Sequence, residues 1–381
     1  MVAIYLDHAA TTPMHEDVIK EMTRIMSDVY GNPSSIHQFG RKADFELENA
    51  RENIAKAINA NPTEIIFNSG GTEGDNTALI QTAIDRKENG QHIITTNIEH
   101  SAVSHSLEYL ADLGFEITYL PVNENGSISV EQVEAALRDD TILVTTMYGN
   151  NEVGTILPIK EIGELLKDHQ ALFHTDAVQA FGTEKIDVKE LNVDYLSISG
   201  HKINGPKGVG FLYIKKGAPV PVMLHGGEQE EKKRAGTENL SGIVGLSKAI
   251  EILTDEQKQA NRKKYEGFKE IIFSTLDKNQ IDYEFNGDKN NHLAHILNIW
   301  FKGIPSNILL SKLDLLGFAI STGSACSAGN VAPSPVIQMM KKEHPNAAVE
   351  SIRISFGYGL KESDIELFSE KLVETIKSFD L

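Results

Sequence analysis

From about residue 45 to residue 215 the chain alternates helical and extended periodicity, and few architectures accept that rhythm. Phe45 to Ile58 carries apolar residues at helical spacing, Glu64 to Asn68 reads as a strand, and a helix opens near Thr72. His92 to Thr96, Phe115 to Leu120, Thr141 to Met147, Ala171 to Asp176 and Val193 to Ser199 read as further strands. Between them Ser101 to Leu113, Val130 to Leu137 and Ile159 to Lys167 read as helices. Strands separated by helices imply an α/β fold with a mostly parallel, helix-covered sheet, because parallel neighbours need a crossover between them. Ligands of such sheets collect beyond the carboxyl ends of the strands.

Past Asn239 the pattern changes. A long charged helical stretch runs to about Thr275, followed by a smaller α+β pattern: Ala294 to Phe301 extended, Ser306 to Leu315 helical, Ser351 to Phe356 extended and Glu362 to Ser378 helical. The expected organisation is a large domain over 16–260 and a small domain built from 1–15 and 261–381. A chain of 381 residues has the length for both.

The balance of 54 acidic against 36 basic side chains, a formal charge of -18, opposes direct contact with nucleic acid or an anionic membrane. No apolar run is long enough to cross a bilayer. Met1 to Asp7 reads as a strand rather than a signal peptide, so a cytoplasmic location is expected. The single cysteine, Cys326, excludes an intramolecular disulfide and leaves one thiol that is either filler or a reagent.

The strand ends carry the chemistry. Lys202, in Ser199-Gly-His-Lys202, stands at a strand-to-loop corner, where a lysine is costly unless paired or covalently used; alone, it would as readily curl back to solvent. Asn68 to Asn76 follows a strand and opens a helix, and Gly70, Gly71 and Thr72 there suit a phosphate, or merely an N-capped turn. Asp176 closes the strand from Ala171; such a carboxylate can keep a pyridine nitrogen protonated, and the plainer reading is a helix cap. His100 ends another strand, placed to stack on a planar cofactor or to serve as a structural histidine. Asn150 and Asn151 offer amides after the next strand. Four strand ends with polar residues of this kind point to one crevice and a pyridoxal phosphate cofactor. In the second domain, Ser321 to Gly329 is a small, polar loop that would let Cys326 visit a substrate. Arg353 alternates out of an apolar strand, to clamp a carboxylate bidentately or simply to face solvent.

In combination these segments resemble the class I cysteine desulfurases, essentially end to end. The resemblance runs through Leu6-Asp-His-Ala-Ala-Thr-Thr-Pro13, Gly31 to His37, the Gly-Gly-Thr loop, Glu99-His100, Asn150-Asn-Glu152, Asp176 with Gln179, Ser199 to Lys202, Arg234-Ala-Gly-Thr-Glu-Asn239 and Ser324-Ala-Cys326. It implies a fold-type I pyridoxal phosphate enzyme that converts L-cysteine to L-alanine, works as a homodimer and uses no metal. By position, Lys202 is the lysine that binds the cofactor, Asp176 partners the ring nitrogen, His100 stacks on the ring and Gln179 bonds the phenolic oxygen. Gly71, Thr72, Ser199 and His201 hold the phosphate, with Thr237 arriving from the neighbouring subunit. Asn151 and Arg353 bind the substrate carboxylate, Ala10 lies near the substrate, and Cys326 carries the persulfide to a tRNA-thiolating enzyme or an iron–sulfur scaffold. Tyr148-Gly-Asn-Asn-Glu and Gly226-Gly-Glu-Gln-Glu look most like a Firmicutes branch linked to tRNA thiolation; Pro335 departs from the family pattern. The alternatives are a selenocysteine lyase or an aminotransferase on the same cofactor and, from another class, a non-enzymatic sulfur-relay scaffold.

Overall fold

The computed structural model describes residues 3–323 and 333–379. In chain order its strands are β1 (Ile4–Tyr5), β2 (Ile65–Asn68), β3 (His92–Thr96), β4 (Glu116–Leu120), β5 (Thr141–Thr145) and β6 (Leu172–Asp176). They continue as β7 (Tyr195–Ser199), β8 (Gly210–Ile214), β9 (Glu284–Asn286), β10 (Ile296–Trp300), β11 (Phe318–Ala319) and β12 (Ser351–Ser355). Seven of them form one sheet in the order β2-β8-β7-β6-β5-β3-β4. The strands from β7 to β4 run parallel, whereas β8 lies antiparallel between β7 and β2. The sheet is thus mostly parallel, as the alternation requires, with one reversed strand.

Successive residues on a strand face opposite ways, and two cores follow from that. Ile94 and Val144 face a layer that holds the helices 16–28, 38–57 and 240–252 through Val18, Ile25, Leu47, Ile54, Ile243 and Leu246. Ile93 and Leu143 face the other way, against Leu79, Val103, Leu107 and Leu110. A separate antiparallel sheet, β12-β10-β9, shares a core with the helices 255–278, 306–315 and 362–377.

Three elements differ from the sequence reading. The stretch after Asn239 is two helices, Leu240–Ile252 and Asp255–Lys278, because Thr254 adopts extended backbone and caps the second by accepting from the Gln257 amide. The second carries most of the charge; the first, with Lys248 and Glu251 alone charged, is buried through Ile243, Val244, Leu246 and Ile250. A helix at Glu16–Asp28, capped by His15, went unread in the sequence. The initial strand shrinks to Ile4–Tyr5, paired with β11, and the chain then passes Ser355 through a bridge at Asp7. Among the described residues no helix is long and apolar enough to cross a membrane.

Candidate active site

The carboxyl ends of β3, β5, β6 and β7, neighbours in the sheet, deliver His100, Asn150 and Asn151, Asp176 and Lys202 respectively. Lys202 ends a single helical turn after β7. Its Nζ donates to Ala9 O at 2.5 Å and to Ala10 O at 2.9 Å. The Gln179 amide donates to the same Ala9 carbonyl at 2.9 Å, so the segment after β1 is the shared anchor of both side chains. That segment is itself fixed by the Thr12 amide and hydroxyl, which donate to His201 O at 2.9 and 2.8 Å.

Asp176 is buried and accepts from the Val178 amide at 2.9 Å. Burial, reinforced by the charge of Asp75, pushes its carboxyl above the ordinary range, while His100 opposes the shift. His100 caps the helix 101–112 through Nδ1, which accepts from the Ala102 amide at 3.2 Å. Just before it, Glu99 turns its carboxylate inward to the Thr96 hydroxyl at 2.6 Å and the Met147 amide at 2.9 Å. Burial pushes that group up to about 8, so it is mostly protonated at neutral pH.

Gly71 starts the helical run after β2, with Gly70 ahead of it at a φ of 139°. A Cβ on Gly71 would meet Val178 Cγ2 at 2.7 Å, and one on Gly70 would meet Ser199 Oγ at 3.2 Å. Glycine therefore keeps open a polar cradle bounded by Thr72, Ser199 and the backbone N–H groups of the helix start, of a kind that receives a phosphate. His201, two residues after Ser199, has Nδ1 3.1 Å from Thr11 Oγ1. Burial, with Lys202 and Lys207 adding to it, lowers the imidazole to about 4, so His201 is neutral.

Arg353 overturns the solvent-facing alternative: it is 1% exposed, on the central register of β12. It donates to Asn151 O at 2.9 Å and to Asp7 Oδ1 at 2.8 Å, and its Nε has no partner. A buried donor left over beside a half-paired guanidinium suits an incoming carboxylate. Thr237 is exposed, on a segment tied down where Arg234 pairs with Glu73 at 2.9 Å. Cys326 and its neighbours Ser324 and Ala325 lie outside the described residues. Pro335 begins the helix 335–340, where its fixed φ suits the first turn, and Ser334 caps it.

Sequence reasoning missed four polar residues. Asp75 and His174 lie buried behind Asp176, 3.4 Å apart. His295 approaches Gln179 at 3.4 Å, and burial lowers its imidazole to about 3. His8 is buried against Gly357, where a Cβ would come within 2.0 Å of its Nδ1. Asp75 and His8 sat inside quoted motifs, so their residue types were the available signal; His295 had none.

The residues present fit pyridoxal phosphate: a buried carboxylate for a pyridinium, a glycine-lined cradle for a phosphate, an amine held between two carbonyls, and a guanidinium with a spare donor. Comparisons agree. The family model for class-V aminotransferases matches residues 4–368. A Bacillus subtilis protein named putative cysteine desulfurase IscS 1 is 54% identical over 377 residues, 99% of both chains. A cysteine desulfurase IscS from Methanosarcina thermophila is 44% identical, covering 98% of this chain and 92% of that one. A solved NifS-like protein superposes with a TM-score of 0.92 at 35% identity, over 99% of this chain and 100% of its own. The structure titled SspA in complex with cysteine gives 0.82 at 36% identity, over 92% and 98%.

Proposed function

The chain belongs to the class-V aminotransferase family, and we propose that within it the protein is a pyridoxal phosphate-dependent cysteine desulfurase, converting L-cysteine to L-alanine with the sulfur carried on Cys326. The observation that carries this reading is the convergence of Lys202 and Gln179 on Ala9 O, beside a buried Asp176 and an Arg353 with one unpaired donor. Desulfurase relatives at 44–54% identity over nearly the whole chain support the reaction class.

When bound, the cofactor supplies a protonated ring that withdraws electrons from the substrate Cα. Gly71, Thr72, Ser199 and His201 hold its phosphate, joined by Thr237 from a second copy, and Gln179 bonds its phenolic oxygen. Asp176 holds the proton on the ring nitrogen, and His100 stacks over the ring. Lys202 Nζ would hold the cofactor and is the amine placed to move the α-proton; the Ala9 and Ala10 carbonyls aim it. Arg353 and Asn151 orient the substrate carboxylate close to Ala10. The Cys326 thiolate attacks the substrate sulfur: an S–S bond forms, the Cβ–S bond breaks, and its electron pair stays with the carbon skeleton. That carbon takes up a proton, so cysteine and one thiol become alanine and one persulfide.

A homodimer is the working form, and its apolar contact is supplied by Tyr30, Ile36, Phe39 and Phe45, exposed together on 30–45 with Tyr30 stacked on Phe39. The division into 16–260 and 1–15 with 261–381 places Cys326 on the smaller part. The sulfur passes in the cytoplasm to an acceptor protein, a tRNA-thiolating enzyme or an iron–sulfur scaffold, and neither nucleic acid nor membrane is touched directly.

The test is the visible spectrum of the cofactor-loaded protein with L-cysteine and a reductant, with alanine and sulfide assayed in parallel. Matched products are expected, with persulfide lost in Cys326→Ala and the lysine-dependent absorbance lost in Lys202→Ala. Undiminished turnover in Cys326→Ala, or alanine without sulfur, would overturn the reading. Purified acceptors offered labelled persulfide decide between tRNA thiolation and cluster assembly.

A further inference from the structure

Behind Asp176 lies a second carboxylate with no evident structural employment. Asp75 is 1% exposed, and its Oδ1 has no hydrogen-bond partner. Ligating atoms of Asp75, His100 and Asp176 all lie within 4.8 Å of one another. His174 Nε2 comes within 3.4 Å of Asp75 Oδ1, poorly aligned to donate, and within 3.1 Å of Ser197 Oγ; its Nδ1 is 2.8 Å from Thr145 Oγ1. Gly74 permits this approach, since a Cβ there would stand 2.9 Å from Ser197 Oγ. A half-satisfied buried carboxylate is expensive, and a fold keeps one where its field is used.

We propose that Asp75 is a positioning residue that acts through Asp176: its negative field, delivered through the dry interior without touching the cofactor, strengthens the hold of Asp176 on a proton and thus on a protonated ring nitrogen. The inference rests on the cofactor reading given above. The groups facing Asp176 are Asp75 from the helix after β2, His174 from its own strand, and Glu99 and His100 from the turn after β3. His100 and His174 weaken the hold on the proton when charged, and Asp75 strengthens it. Glu99 is protonated at neutral pH and adds little field. Two charges about 5 Å apart at an effective dielectric of about 20 interact strongly enough to move a titration by about two pH units.

The test is Asp75→Asn, with Asp75→Ser as the smaller neutral replacement and Asp75→Glu as the charge-keeping control. In the apoprotein, the Asp176 carboxyl is titrated by carbon-13 NMR, assigned by its loss in Asp176→Asn. Either neutral variant should lower its midpoint by at least one pH unit, about tenfold in proton affinity, and Asp75→Glu should restore it. The dissociation constant for pyridoxal phosphate should rise about tenfold in the neutral variants. A folded neutral variant, judged by circular dichroism, whose Asp176 titrates within 0.3 unit (roughly twofold) of the parent would overturn the proposal. The apoprotein arm stands apart from the cofactor reading, which fails instead if the parent protein binds no pyridoxal phosphate.

Discussion

Removing the carboxylate of Glu230 should unfold the turn that carries Thr237 and weaken the whole protein. Glu230, Glu231 and Lys232 follow one another at φ values of 49°, 53° and 69°, a left-handed run that costs about 1–2 kcal/mol for each residue with a side chain. What holds the run is a buried fork: Arg51 Nη1 and Nη2 each reach Glu230 at 2.8 Å, and the Phe67 amide adds a third bond at 3.0 Å. The guanidinium also donates to Ile65 O and lies 4.7 Å from the centre of the Phe67 ring. Breaking one side of a buried pair costs about 3–5 kcal/mol, because the surviving charge stays in the interior. Arg51 retains Glu48 at 3.1 Å, which is half exposed, so the lower end applies, about 3 kcal/mol. That is roughly a hundredfold in the folding equilibrium. The assay is urea denaturation of Glu230→Gln, Arg51→Met and the double variant Arg51→Met/Glu230→Leu. The single variants should lose stability at unchanged slope, and the apolar double variant should lose less than Glu230→Gln alone. A Glu230→Gln midpoint equal to the parent, or a double variant at the sum of the singles, would refute the argument.

Lys269 is buried, donating to Leu293 O at 3.4 Å, and desolvation lowers its amine to about 7. Below about pH 7 the amine is charged in folded and unfolded chains alike and its burial cost is fully felt. Above it the unfolded chain binds the extra proton, so stability rises with pH toward about 10. Lys269→Met should therefore exceed the parent in stability most at pH 7 and below, the advantage shrinking by about 2–3 kcal/mol by pH 9 in denaturation at each pH. A pH-independent difference would mean that the amine is neutral or solvated throughout. Gly323 and Ser334 flank the segment bearing Cys326 beside the Glu152 carboxylate: Ser334 Oγ donates to it at 2.5 Å, and a Cβ added on Gly323 would stand 2.6 Å from it. Gly323→Ala, strained besides at a φ of 129°, should cost about 1–3 kcal/mol and slow persulfide formation in single-turnover assays while the cofactor absorbance persists. Unchanged single-turnover rates would show that Glu152 does not set these two positions.

The parallel part of the sheet was readable because each strand is a short run of mainly apolar and β-branched residues and most crossovers have a helical period of their own. His92–Thr96 and Ser306–Leu315 match the sequence reading residue for residue. The Thr254 break was not, since a threonine cap inside a long helical period looks like any polar helix residue. The direction of β8 depends on its pairing with β2 and β7, which no local pattern encodes. Polar residues at strand ends were legible by position. The burial of Arg353 was not: alternation along β12 allows one wet face, but the segment at Asp7 covers that face and pairs the guanidinium. Asp75, His8 and His295 acquire meaning only from partners about 100 to 350 residues away in sequence.

The segment from Ile4 to Thr12 lies across pieces of chain made much later: β1 pairs with β11, Ala9 donates to Ser355 Oγ, and Asp7 meets Arg353. During synthesis these residues leave the ribosome early; Gln179, His201 and Lys202 follow 170 to 193 residues later, but β11, Arg353 and Ser355 come only after more than 300. The whole seven-stranded sheet can close in the meantime, since β2 to β8 are complete by residue 214. The amine of Lys202 is then already placed, but the carbonyls of Ala9 and Ala10 that aim it gain their anchor at Ser355 only after β12 emerges. A nascent chain stalled before β12 therefore holds a formed sheet around a lysine whose two carbonyl partners still lack their tie to Ser355, so the final setting of the amine waits on the last strand.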